Sequence, residues 1–211
     1  MPNIKNDILE DVAQYYSRKL SEYGETARGV DWNSEESQAV RFKQLCKIID
    51  SRESFAVNDV GCGYGALYSY LAAHHKTFKY YGCDISNNMI RAAHNRYGEK
   101  DNAVFNIAEK PTQAATYGIA SGIFNVRLSH EDDTWRKHLQ GMLEILNGSS
   151  THAFAFNCLT SYSDKDKMKD YLYYAEPCEL FDFCKRRYSR DVALLQDYGL
   201  YEFTILVRKR T

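Results

Sequence analysis

NDVGCGYGAL, residues 58–67, puts three glycines into five positions directly behind an aspartate. The run before it, SFAVNDV (54–60), reads as a strand ending at Val60, and ALYSYLAAHH (66–75) reads as a helix. Gly61, Gly63 and Gly65 therefore fall in the turn between the two. Glycine there permits positive φ and lets a ligand approach bare backbone, and the start of the helix offers free N–H groups. Ligands of open α/β sheets bind off the carboxyl ends of the strands, so this turn is the first place to expect one.

Outward from the turn, short apolar runs alternate with helical ones. FKYYGCD, NAVFNIAE, YGIASGIFNV and THAFAFNCL read as strands, and NNMIRAAHNRY and DDTWRKHLQGMLEIL as helices. Crossovers that contain helices imply parallel strands with right-handed connections. Near the end, DVALLQDY and YEFTILVRK are separated only by Gly199 and Leu200, which requires an antiparallel hairpin at one edge of the sheet. Two further helical patterns open the chain, with Asn33 and Glu36 as an N-cap pair for the second. The expected fold is α/β: a doubly wound, mostly parallel seven-stranded sheet with a C-terminal antiparallel hairpin and N-terminal helices over the cleft. Residues 1–211 read as one domain, with 1–50 as a helical lid and 54–211 as the core.

The bulk properties narrow the partners. With 27 Lys plus Arg against 28 Asp plus Glu, the chain lacks the positive field that drives binding to phosphate backbones, so nucleic acid is not the expected partner. The six cysteines are dispersed without zinc-site or dithiol spacing; they read as reduced thiols, and no metal site is expected. The N-terminus carries charges where a secretory leader needs an apolar core, and no apolar run approaches the roughly 20 residues of a membrane span. A cytoplasmic protein is expected.

Gly61, Gly63 and Ala66 also satisfy the relaxed dinucleotide fingerprint, so the turn alone leaves the nucleotide open. Asp59 separates the candidates. Its carboxylate stands near where a dinucleotide would place its pyrophosphate, and like charges in a partly desolvated site repel. S-adenosylmethionine has no phosphate and carries an ammonium and a sulfonium. A carboxylate favours it over NAD. Asp84 ends the second strand about 20 residues past the glycines, where an acid accepts ribose hydroxyls. Glu109 follows the third strand at the same sheet edge, within reach of an exocyclic amine.

NDVGCGYG, YYGCDIS, FNIAE and IASGIFNV resemble, in order, the successive motifs of the class I S-adenosylmethionine-dependent methyltransferases of small-molecule type. The resemblance covers residues 54 to about 130, and the terminal hairpin is similar to that family's last two strands. It implies S-adenosylmethionine as cofactor and S-adenosylhomocysteine as product. It also implies that Asp59, Gly61, Cys62 and Gly63 line the methionine part, Asp84 and Ile85 the ribose and adenine, Met89 the adenine face, Glu109 the adenine edge, and Ala120 and Ser121 the floor beneath the sulfonium. The sequence departs from the family at Asn58, where an aliphatic residue is usual.

Within the lid, Tyr16 and Trp32 are expected to face the sulfonium and Arg41 to pair with the methionine carboxylate. Methyl transfer needs a base only for a protonated acceptor, and His130, after the fourth strand, is the catalytic candidate. Tyr162, Tyr171 and Tyr174, in the long insertion after the fifth strand, are candidates for a small-molecule acceptor. The expected activity is O- or N-methylation. The alternatives are an NAD-dependent oxidoreductase, or an S-adenosylmethionine-binding regulator without turnover.

Overall fold

The computed structural model describes residues 4–50, 53–98 and 100–210, with no side-chain description for 4–6. Residues 1–3 of the N-terminal stretch, and 51–52 between the expected lid and core, lie outside them. The elements run α1 (Ile4–Tyr23), a 3-10 turn (Ala27–Val30), α2 (Glu35–Leu45), β1 (Phe55–Val60), α3 (Ala66–His74), β2 (Phe78–Asp84), α4 (Asn87–Tyr97), β3 (Ala103–Ile107) and β4 (Ala115–Ala120). They continue with α5 (Asp132–Ser149), β5 (Ser150–Thr160), β6 (Tyr174–Ala175), α6 (Pro177–Arg187), β7 (Asp191–Leu195) and β8 (Glu202–Arg208).

The sheet order is β3-β2-β1-β4-β5-β8-β7. Strands β1 to β5 pair in parallel, whereas β8 runs antiparallel to both β5 and β7. The eighth strand, β6, is two residues long and pairs with β5 at Leu159 and Thr160, beyond the point where β4 has ended. The terminal hairpin is present, but its connection is longer than Gly199 and Leu200. Residues 196–201 leave the ladder, because Gln196 Nε2 donates to Thr160 Oγ1 and the Tyr198 hydroxyl pairs with Thr204.

Alternate residues of each inner strand feed opposite faces, as the period of two requires. Phe154 and Phe156 of β5 enter a core with Trp135, Leu139 and Leu143 of α5 and Leu180 of α6. Ala153 and Ala155 enter the other, with Phe42 of α2, Leu71 of α3 and Ile90 of α4. Each fully buried phenylalanine contributes about 1.5–3 kcal/mol of transfer free energy.

One local expectation changes. The N-cap of α2 is Ser34, not Asn33: Ser34 Oγ accepts from Ser37 N, and Ser37 Oγ accepts from Ser34 N. The β3-to-β4 crossover, where no helical run stands between NAVFNIAE and YGIASGIFNV, contains no helix over residues 108–114. An extended segment of that length reaches about 24 Å, enough to cross the sheet without one. This link also accounts for Asn58. Its buried amide donates to the carbonyls of Gln113, in the link, and Ser149, at the end of α5. An aliphatic side chain would leave both carbonyls without that donor.

Candidate functional site

The glycine turn is bent by paired hydrogen bonds: Gly61 N and Cys62 N both donate to Cys83 O, at 2.8 and 3.0 Å, fastening the β1 end to β2. Gly61 takes φ 72°, and a Cβ there would stand 2.2 Å from Ile123 Cγ2. Gly65 caps α3 at φ 82°, where a Cβ would meet Tyr97 at 2.7 Å and Phe105 at 2.8 Å. The left-handed strain of about 1–2 kcal/mol adds to overpacking of about 1–3 kcal/mol. Gly65→Ala is therefore expected to lower unfolding free energy by ~2–5 kcal/mol, read as a fall in the urea midpoint; a loss of only about 1–2 kcal/mol would show that the ring cluster yields, and an unchanged midpoint would contradict both contributions.

A partly open cavity lies off the carboxyl ends of β1, β2 and β4. The turn, Asp59, Asp84, Ile85, Met89, Glu109 and Ser121 line it on the sheet side, and Tyr16, Val30, Trp32 and Gln38 close it from the N-terminal elements. Three carboxylates border this space, and among the described residues lining it there is neither a lysine nor an arginine. The Ser121 hydroxyl oxygen is buried there without a hydrogen-bond partner.

Asp59 is 2% exposed and accepts a 2.5 Å hydrogen bond from the Tyr80 hydroxyl. Burial pushes its carboxyl up to about 7; the Tyr80 bond opposes the rise and the Asp84 charge adds to it. Asp84 lies between two backbone donors, Gly63 N at 2.9 Å and Ser86 N at 2.8 Å. Burial raises it as well, against those bonds. Ser86 caps α4, accepting from Met89 N, and its hydroxyl meets Ser17 of α1 at 2.9 Å. The lid helix is thus tied to the residue two past Asp84. The loop carrying Trp32 is tied to the same helix, because Asp31, at a left-handed φ of 63°, accepts from the Tyr15 hydroxyl and pairs with Lys19 at 2.8 Å.

Several expected residues lie elsewhere. Arg41 does not line the cavity. It is 5% exposed, its Nε and Nη2 are engaged by Glu202, and its guanidinium stacks 3.9 Å from the Trp32 ring, so the edge expected to meet a methionine carboxylate is already taken. Ala120 is fully buried in the same core cluster as Phe124, so of the expected pair only Ser121 lines the cavity. His130 stands outside the cavity with Nε2 3.1 Å from Asp11 of α1, where it joins the lid to the β4–α5 loop. Tyr162 is 65% exposed, the Tyr174 hydroxyl accepts from Lys169 N, and Tyr171 packs against Tyr15 at 6.2 Å; none borders the cavity. The histidine that does line it is His138, one turn of α5 before Met142, which also lines it. Leu9, Val12 and Ile123 complete that side. The sequence places His138 in a helical pattern away from the expected cleft edge, which the structure corrects; Leu9 and Val12 lie on helical periodicity and Ile123 in a strand-like run, patterns that do not distinguish a cavity wall from a core.

Among the described residues no group of His, Cys, Asp and Glu could hold a metal ion, and no helix is long and apolar enough to cross a membrane.

The comparisons with known proteins agree with this architecture. Residues 58–146 match the model of a family described as a methyltransferase domain. A Mycobacterium tuberculosis protein named as a methyltransferase, Rv1506c, is 55% identical over 163 residues, 77% of this chain and 98% of that protein. Among solved structures, magnesium protoporphyrin IX methyltransferase (ChlM) from Synechocystis with bound SAH superposes with a TM-score of 0.67 at 13% identity, covering 99% of this chain and 100% of that one. The N-methyltransferase NodS from Bradyrhizobium japonicum, in complex with SAH, gives 0.65 at 13%, covering 95% and 99%. The DhpI–SAH complex gives 0.64 at 15%, covering 97% and 98%.

Proposed function

Because the chain belongs to the S-adenosylmethionine-dependent methyltransferases of Rossmann-like fold, we propose that it methylates a small-molecule acceptor, at oxygen or nitrogen, from a cofactor held in the cavity at the glycine turn. The observation that carries this reading is the charge of that cavity: three carboxylates, no lysine or arginine among the described residues lining it, and Gly61 and Gly63 on its wall. Such a lining suits a phosphate-free, cationic adenosine derivative and repels a dinucleotide.

Bound S-adenosylmethionine supplies the methyl group, by displacement at its sulfonium carbon. The chain's own part is placement and exclusion of water. Asp84 accepts ribose hydroxyls with the lone pairs its two backbone donors leave free, and Glu109 receives the adenine amine. Asp59 offers negative charge toward the methionine end. Ser121, whose hydroxyl is buried and unpartnered, is the polar group available on the floor. Tyr16 and Trp32 form the lid's wall. A small acceptor fits the near-neutral net charge of −1, and the neighbours ChlM and NodS are named for magnesium protoporphyrin IX and for N-methylation.

Calorimetry with S-adenosylmethionine, S-adenosylhomocysteine and NADH tests the cofactor site, and a methyl-transfer screen over metabolite pools tests the acceptor class. Binding of NADH in place of the sulfonium nucleoside would overturn the site assignment. Asp59 adds a pH signature. An acid raised in the folded state holds its proton more tightly than the unfolded chain does, so unliganded stability falls as pH rises between about 4 and about 7. A cationic ligand favours the ionised form. S-adenosylmethionine affinity is therefore expected to rise from pH 5.5 to 7 with proton release on binding, read by calorimetry in buffers of differing ionisation enthalpy. A flat profile would detach Asp59 from the ligand.

A further inference from the structure

Five residues from five parts of the chain close a ring beside the cavity. Gly122 N donates to Asn157 Oδ1 at 2.9 Å, and Asn157 Nδ2 donates to Glu202 Oε2 at 2.6 Å. Glu202 holds Arg41 through Nε, at 2.8 and 2.9 Å, and through Nη2 at 2.8 Å. Arg41 stacks 3.9 Å from Trp32, and Trp32 returns to Gly122, lying so close that a Cβ on the glycine would fall 2.3 Å from Cζ2. Trp32 and Gly122 line the cavity; Arg41, Asn157 and Glu202 do not.

We propose that Asn157 is a positioning residue for cofactor binding, acting through this ring to hold the Ser121–Gly122 turn on the sheet and Trp32 on the lid in one arrangement. The inference rests on the cofactor reading above. Its physical basis is that the amide can stand only one way. A backbone N–H requires an acceptor and a carboxylate requires a donor, so Oδ1 must face Gly122 and Nδ2 must face Glu202. Asn157 is fully buried on β5, with Thr204 as its Cα partner on β8, so it has no room to turn aside. Glu202 in turn fixes the plane of Arg41, and that plane is the surface on which the Trp32 indole rests. The lid wall and the cavity floor are thus set by the same buried amide, although Asn157 touches neither Trp32 nor the cavity. A glycine at 122 is required at the closing contact, where φ is 79° and the indole occupies the space of a side chain.

The test uses the full chain and S-adenosylhomocysteine, and needs no acceptor. Trp32→Ala and Asn157→Leu are each expected to weaken S-adenosylhomocysteine by about tenfold, and the double variant by no more than about twofold beyond the weaker single, because members of one network are not additive. A second reading needs no ligand. Taking Trp32→Phe as the blank, acrylamide quenching of Trp32 is expected to rise in Asn157→Leu. Losses that multiply in the double variant, or Trp32 quenching equal to wild type, overturn the proposal. Failure of the wild-type chain to bind S-adenosylhomocysteine would instead overturn the cofactor reading, and the quenching result would then decide the ring alone. Should Asn157→Leu not fold, Asn157→Ser frees the same two groups without adding bulk and carries both measurements.

Discussion

Asp84→Asn is expected to raise the dissociation constant for S-adenosylhomocysteine at least tenfold while the melting temperature of the unliganded chain stays within a few degrees of wild type. Hydrogen bonds to a charged acceptor contribute about 1.5–3 kcal/mol each, and about 1.4 kcal/mol is one decade of affinity. With Asp84 under two ribose hydroxyls, as proposed, losing the charged acceptor suffices for the loss even after partial compensation by the amide oxygen. The stability side follows from the direction of the carboxyl's shift. Burial raises Asp84 above its ordinary value, so its ionisation at neutral pH opposes folding, and an amide removes that opposition. Against this, the new NH₂ must face Gly63 N or Ser86 N, leaving one donor without its 2.8–2.9 Å bond. The two effects oppose each other in the folded chain but not in the complex. An unchanged dissociation constant would remove Asp84 from the ribose; a collapse of unliganded stability would show that its role is to hold the turn and the α4 cap.

What could be read from the sequence was whatever is decided locally or by short, ordered spacing. The glycine turn, the acids at 59, 84 and 109, and the β7–β8 hairpin each follow from a few neighbouring residues, and the acids and turn lie together on the cavity. Arg41 could not be read this way. Its helix position suited either solvent or a ligand, and what claims it is a glutamate 161 residues further on. His130 and His138 show the same limit: both belong near one helix start, and only its packing turns His138 inward and leaves His130 to Asp11. Asn58 looked like a departure from pattern because its partners, the Gln113 and Ser149 carbonyls, exist only once the helix-free crossover is laid across the sheet. The tyrosines at 162, 171 and 174 carry a composition that surface packing and ligand binding share, and their own sequence context cannot separate the two.

The Arg41–Glu202 pair sets the largest expected effect on stability. Glu202→Ala is expected to lower unfolding free energy by about 3–5 kcal/mol, because it leaves a guanidinium 5% exposed without its counter-charge and strips Asn157 Nδ2 of its acceptor. Arg41 already has one edge unmatched, since Nη1 is buried with no hydrogen-bond partner, so no second acceptor stands ready. The double variant Arg41→Met, Glu202→Leu is expected to recover most of that loss. Two buried charges were desolvated to make the pair, and apolar groups of similar volume avoid that cost. The recovered variant should nevertheless bind S-adenosylhomocysteine more weakly than wild type, because methionine gives the Trp32 indole no planar cation to stack on. Chemical denaturation of the single and double variants, with affinity measured on the double, separates the two roles. Equal stability losses in both would mean that packing rather than charge is the issue; wild-type affinity in the stable double variant would mean that Trp32 keeps its place without Arg41.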